Sequence, residues 1–159
     1  MRLPDFPPPL LTPFAGIFYD GVARGELRLP VCPDCGTVYW YPPEILPCHP
    51  EATPAWRAAS AQGLVYSFTR IERSLLPEAD PAAVPYTLVM VHPVDAPAAR
   101  VIGVLTDADD SPVQCQEVVR FQPVRVKQHW IPAFVREKAQ EKAQEKDGPT
   151  PHEGRGAGS

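Results

Sequence analysis

The sequence predicts a mainly β protein: an N-terminal arm with one short helix, then a zinc ribbon, then a small five-stranded barrel or sandwich. Three observations predict it. Five β-branched or alternating runs fall within about 75 residues, with no amphipathic helix between them, and such spacing builds barrels or sandwiches. Proline accounts for 22 of the 159 residues, and 12 of these prolines precede residue 55. Proline lacks a backbone donor and clashes with the preceding turn, so long helices are excluded there. Third, Cys32, Cys35 and Cys48 stand at ribbon spacing.

Taken in order, Phe6 to Phe14 holds four prolines and two leucines, which suits an extended arm along a surface and not a sheet interior. A short helix is expected within Phe14–Leu27, with Phe14, Phe18 and Val22 on one side, weakened by Gly16 and Gly21. Strands are expected at Gly63–Arg73, Tyr86–His92, Arg100–Thr106, Glu117–Val126 and His129–Phe134. Pro123 marks an edge or bulge, and Gly103 suits a tight barrel bend. The repeated Glu-Lys-Ala-Gln of residues 137–146 is all helix formers without an apolar stripe, so a fraying, solvated helix is expected, then disorder from Gly148. Composition divides the chain into 1–56 (arm and ribbon), 57–135 (barrel) and 136–159 (tail).

Charge excludes one class of partner. Net charge is −3 over residues 1–56, −1 over 57–135 and 0 over 136–159, whereas nucleic-acid domains carry a basic excess that displaces counterions from phosphates. There is no run of 18 apolar residues, and Met1–Leu11 lacks the apolar region of a signal peptide. A cytoplasmic protein that makes no membrane contact is expected.

Cys32-Pro-Asp-Cys35-Gly36 is half of a zinc knuckle, and Cys48 follows after 12 intervening residues. Glutamate, Glu51, stands where a fourth cysteine would complete the ribbon. The fourth ligand is then Glu51, His49, a water or nothing; zinc accepts each of these donors. Spacing favours Glu51 and donor chemistry favours His49. A ribbon that has lost its metal is the competing reading. A redox dithiol would want a βαβ context, and a disulfide framework would want a secreted chain. Cys115 stands apart and reads as a small buried residue.

No phosphate loop, GxGxxG, HExxH or GxSxG is present. The histidines occupy unrelated contexts, and Asp107, Asp109 and Asp110 beside Ser111-Pro112 read as a turn. No catalytic set assembles from these residues, so the chain is expected not to be an enzyme. Phe6, Leu10, Leu11, Phe14, Ile17, Phe18, Tyr19, Tyr39, Trp40 and Tyr41 crowd into the first region. A ribbon is too small to bury them all, and aromatic residues favour interface centres.

The order of segments resembles a known family: Asp20-Gly-Val-Ala-Arg-Gly-Glu-Leu27, Cys32-Pro-Asp-Cys-Gly36, Tyr41-Pro-Pro43, Cys48, Gly63-Leu-Val-Tyr-Ser-Phe-Thr69, Pro85-Tyr-Thr-Leu-Val89, Arg100-Val-Ile-Gly103, Pro132-Ala-Phe134. It is similar to the family with a rubredoxin-like zinc ribbon followed by an acyl-CoA-associated OB-fold, long catalogued as domain of unknown function thirty-five. The resemblance covers about residues 14–135. It implies an OB-fold barrel and a structural zinc. It further implies a non-catalytic subunit beside a thiolase-like enzyme: a thiolase, an acyltransferase, or a lipid-transfer-protein-like aldolase in lipid, steroid or aromatic degradation. The assembly implied is a heterotetramer with two copies of each chain, handling an acyl-CoA. The family has four cysteines, and Glu51 departs from it. If CoA phosphates reach this chain, Arg70, Arg73 and Arg100 are the first candidates, with Arg120, Arg125 and Lys127 the remaining barrel cations. A nucleic-acid-binding ribbon and barrel is the alternative.

Overall fold

The computed structural model describes residues 3–73, 81–106 and 111–137. The Asp107, Asp109 and Asp110 turn, and the tail from residue 138, lie outside the described residues. The elements are helix α1 (Pro13–Ala23) and strands β1 (Arg28–Val31), β2 (Ala55–Ala58), β3 (Gln62–Ile71), β4 (Tyr86–Pro93), β5 (Val101–Leu105), β6 (Val118–Phe121), β7 (Val124–Val126), β8 (His129–Ile131) and β9 (Ala133–Arg136). Among the described residues no helix is long and apolar enough to cross a membrane.

Helix α1 starts where the sequence supplies a cap. The Thr12 hydroxyl accepts from the Ala15 N–H at 3.1 Å, and Pro13 fills the first turn, where its missing donor costs nothing. The helix stops at Ala23, four residues short of Leu27: the chain reverses there, with the Gly21 carbonyl accepting from both Arg24 and Glu26. Phe18 and Val22 are buried as the helical spacing requires, while Phe14 stays half-buried with its ring 6.4 Å from that of Trp56.

The barrel closes in the order β3-β4-β5-β9-β6. β5 and β9 run parallel, and every other pairing around the barrel is antiparallel. This is the five-stranded Greek-key barrel of the OB-fold. β3 is long enough to serve two neighbours: residues 62–64 pair with β6, and the strand pairs with β4 along its length through an irregularity between Val65 and Ser67. Such a bulge bends the strand and helps closure.

Two strands expected from the sequence are each divided. The run Glu117–Val126 becomes β6 and β7, and His129–Phe134 becomes β8 and β9. Pro123 and Pro132 sit in the gaps, where a residue without an N–H cannot carry the ladder. β7 and β8 form their own hairpin between the last two barrel strands. The pairing of β1 with β2 has no strong sequence signal, because Pro30 interrupts β1 and β2 is four residues long.

One apolar cluster joins the N-terminal segment to the barrel. Phe18, Val22, Leu27 and Leu29 pack with Val65, Val89, Val91, Val101, Val119, Phe121 and Phe134. Each such side chain taken from water contributes about 1.5–3 kcal/mol before chain entropy is charged against it. A second cluster lies on the outer side of β4 and β5: Tyr86 and Val104 are covered by Val126 and Ile131 of the hairpin and by Leu3 and Phe6 of the arm. Phe6 meets Tyr86 edge to face at 5.5 Å, and Asp5 pairs with Lys127. The arm therefore runs along the barrel's outer surface.

Candidate metal centre

The knuckle begins at the end of β1. The Gly36 N–H donates to the Cys32 carbonyl and the Cys32 N–H to the Thr37 carbonyl, both at 2.9 Å. Gly36 takes φ +72°, a left-handed conformation that residues with a Cβ disfavour, and this lets the chain double back just after the second cysteine. A bridge from Val31 to Val38 closes the loop. The second turn brings Cys48 and His49 beside it, with the Ala52 N–H donating to the His49 carbonyl.

Cys32, Cys35, Cys48 and His49 present donor atoms that all lie within 4.8 Å of one another. The Cys35 and Cys48 sulfurs are 3.5 Å apart. A zinc tetrahedron with 2.3 Å bonds to sulfur has S–S edges of about 3.8 Å. Three thiols and an imidazole at this separation fit structural zinc, which would tie the loop after β1 to the turn before β2. Glu51, favoured by spacing alone, is exposed and outside the group. The turn closed on the His49 carbonyl carries it to the solvent side.

The surroundings favour the thiolate at Cys35 and Cys48 but not at Cys32. The Thr37 hydroxyl lies 3.1 Å from Cys35 Sγ, and hydrogen bonding from Thr37 lowers the Cys35 thiol to about 6. The Tyr39 hydroxyl does the same for Cys48, whose pKa is also lowered; the reciprocal effect pushes Tyr39 up to about 12. Cys32 is buried, and desolvation raises its thiol. Hydrogen bonding to Cys48, then to Cys35, raises His49. Thr37 and Tyr39 have no motif of their own; only their position just after the CxxC could have marked them.

The cationic candidates are not gathered at one place. Arg70 faces Thr87 across β3 and β4 and pairs with Glu72 at 2.7 Å. Arg73 lies exposed just beyond it. Arg100 precedes Val101, which pairs with Val91, so it falls level with His92, about 17 Å further along β4 at strand rise. Its guanidinium stacks 4.0 Å above the Tyr66 ring and donates to the Pro97 and Ala98 carbonyls. Arg120 pairs with Glu137 and Lys127 with Asp5; Arg125 is exposed on β7. Cys115, expected to be buried, is exposed. It sits in the turn before β6, where Gln116 has φ 69°, and this turn carries the side chain outward.

Fold and site together define a zinc ribbon built onto an OB barrel. Residues 20–50 match the family described as ChsH2, rubredoxin-like zinc ribbon domain. The fold is similar to that of the Ltp2-ChsH2(DUF35) aldolase, with TM-score 0.70 and 16% identity over 81% of this chain and 98% of that one. It is also similar to a DUF35-family protein of unknown function from Sulfolobus solfataricus, with TM-score 0.55 and 11% identity over 79% and 86% of the two chains. No curated protein matches the chain. The resemblance read from the sequence thus stands on its ribbon and on its fold.

Proposed function

We propose that this chain is a non-catalytic subunit that binds and supports a thiolase-fold enzyme acting on an acyl-CoA. The observation that carries the reading is the ribbon-and-barrel match to a structure described as an aldolase of two named components, spanning 98% of the matched chain. The surface supports it. Leu10 is 89% exposed, Tyr41 75%, Ile45 66% and Leu11 61%. All four belong to the arm or the knuckle loop, and a monomer gains nothing by leaving such groups in water. Tyrosine is favoured at the centre of an interface, and the aliphatic groups around it add apolar area.

The further terms are a heterotetramer with two copies of each chain, and a CoA thioester shared with the partner in a cytoplasmic degradation of lipid, steroid or aromatic acyl groups. For CoA phosphates the chain offers Arg73, just past the end of β3 beyond the Glu72-paired Arg70, whereas Arg100 is committed to Tyr66 and two carbonyls. Ion pairing weighs against the nucleic-acid reading: Arg57, Arg70, Arg120 and Lys127 each face a carboxylate, which cancels the field a phosphate backbone would meet.

Co-expression with the thiolase-like product of a neighbouring gene tests the proposal. A stable complex on size exclusion, with partner activity or solubility lost when this chain is omitted, is the expected result. Separate elution, with the enzyme equally soluble and active alone, overturns it.

A further inference from the structure

We infer that the ribbon holds zinc through Cys32, Cys35, Cys48 and the Nδ1 atom of His49, a three-thiolate, one-imidazole centre in which two ligands are sequence neighbours. The inference rests on the zinc-ribbon reading and is independent of any partner. It begins from the position of the imidazole. Nδ1 lies 3.4 Å from the sulfur of Cys32, the one buried thiol of the set. In a zinc tetrahedron with bonds of about 2.3 Å to sulfur and about 2.0–2.1 Å to nitrogen, the S–N edge is about 3.6 Å. The ring nitrogen thus stands at an edge length from Cys32, and it lies with the other two sulfurs inside a group of four donors spanning no more than 4.8 Å.

Spacing in the sequence favours Glu51 over a ligand adjacent to Cys48. Consecutive side chains ordinarily diverge, and the position three residues after Cys48 is occupied by a carboxylate. Nδ1 is the ring nitrogen nearer the main chain, so it needs a shorter reach than Nε2. The turn at His49–Ala52 folds the ring back beside the Cys48 sulfur and leaves Glu51 in solvent. The replacement also changes the charge. Zinc with four thiolates is a dianion, whereas three thiolates and a neutral imidazole leave a single negative charge. A single charge costs less to desolvate than a dianion, which suits a centre whose Cys32 sulfur is buried.

X-ray absorption at the zinc edge of the full-length protein decides the matter without any variant. Three sulfurs near 2.3 Å, one nitrogen at about 2.0–2.1 Å, and the outer-shell scattering of an imidazole are expected. His49→Cys should convert the spectrum to four sulfurs, and Glu51→Ala should leave it unchanged. In competition with a chromophoric chelator, His49→Ala should bind zinc at least about tenfold more weakly, since even outer partners of a ligand are worth 10–100-fold. Zinc bound by three sulfurs and an oxygen without imidazole scattering overturns the inference and leaves the ribbon standing. So does wild-type affinity in His49→Ala. Protein that takes up no zinc from supplemented medium overturns the inference together with the ribbon.

Discussion

The Phe18 ring lies against the Trp40 indole, with centroids 4.3 Å apart and planes inclined at 48°. This contact ties the helix to the loop that follows the knuckle. It reassigns Trp40, whose type and neighbourhood in the sequence suggest an anchor for a partner. The indole packs inward against the main cluster, and its neighbour Tyr41 is the exposed member of the pair. Trp40→Ala is therefore expected to destabilise the isolated chain by about 2 kcal/mol, between the cost of a surface change and that of a fully buried tryptophan. Tyr41→Ala should stay within about 0.5 kcal/mol of wild type. Urea denaturation of the two variants makes the comparison, and equal midpoints would refute the assignment.

Gly103 supplies a second expectation. It pairs with Val89 inside the barrel, and a Cβ there would lie 2.8 Å from the Phe134 ring and 2.9 Å from the Pro132 carbonyl. The glycine makes room for parallel β9 to come close. Gly103→Ala should cost about 1–3 kcal/mol through overpacking, read as a lower thermal midpoint. A midpoint at or above wild type would mean that Phe134 swings aside freely.

Removing the metal should separate the ribbon from the barrel. The knuckle turns have few apolar contacts of their own, while β3 to β6 and β9 enclose a continuous core. After chelation, faster hydrogen exchange is expected in residues 30–52, with protection retained in β3 and β4. Simultaneous loss of protection in both regions would show that the barrel depends on the metal.

Much of this was legible in the sequence, for a physical reason. Alternation or continuous β-branched runs mark a strand whose face is buried, so the barrel strands are visible one at a time. Pairings between distant segments are not. β1 meets β2 across the whole knuckle, and neither carries a pattern strong enough to predict its partner. Pro123 alone suggests an irregularity within a strand, whereas Pro123 and Pro132 together mark where the chain leaves and re-enters the barrel. At the metal centre, cysteine spacing identified three donors. It could not choose between His49 and Glu51, because the choice is made by a turn whose hydrogen bond has no sequence signature.

Asp95 gives the fold a dependence on acid. Its carboxylate accepts from Arg57 at 2.6 Å and from the Ser60 N–H at 2.8 Å, joining the loop after β4 to β2 and the segment that follows it. Burial pushes its pKa up, but these hydrogen bonds and the Arg57 charge together outweigh burial, and the pKa is lowered. A carboxyl depressed in the folded state adds stability above its unfolded pKa of about 3.9 and loses it as pH falls through the folded value. Asp95→Asn should thus be less stable than wild type near neutrality, with the gap narrowing below about pH 4. Thermal midpoints across that range test it; a gap independent of pH would remove the electrostatic part of the explanation.

The last expectation concerns the surface that meets the proposed partner. If arm and knuckle loop form the interface, its anchors must be side chains that the chain leaves in water, and these are Leu10, Leu11, Tyr41 and Ile45. Trp40, half-buried against Phe18, has less free surface to offer than these. Interface energy concentrates in a few buried aromatic or aliphatic groups, often worth about 2 kcal/mol or more on truncation. Rim charges chiefly alter association rate and salt dependence. Tyr41→Ala with Ile45→Ala should therefore weaken the complex by at least about tenfold, equivalent to about 1.4 kcal/mol, while the isolated chain keeps its thermal midpoint. Arg125→Ala, an exposed cation on β7, serves as the control and should change affinity less than about threefold. Calorimetric titration of the purified partner into each variant gives the answer. Unchanged affinity in the double variant, or a larger loss at Arg125, would move the interface from the knuckle loop to the barrel.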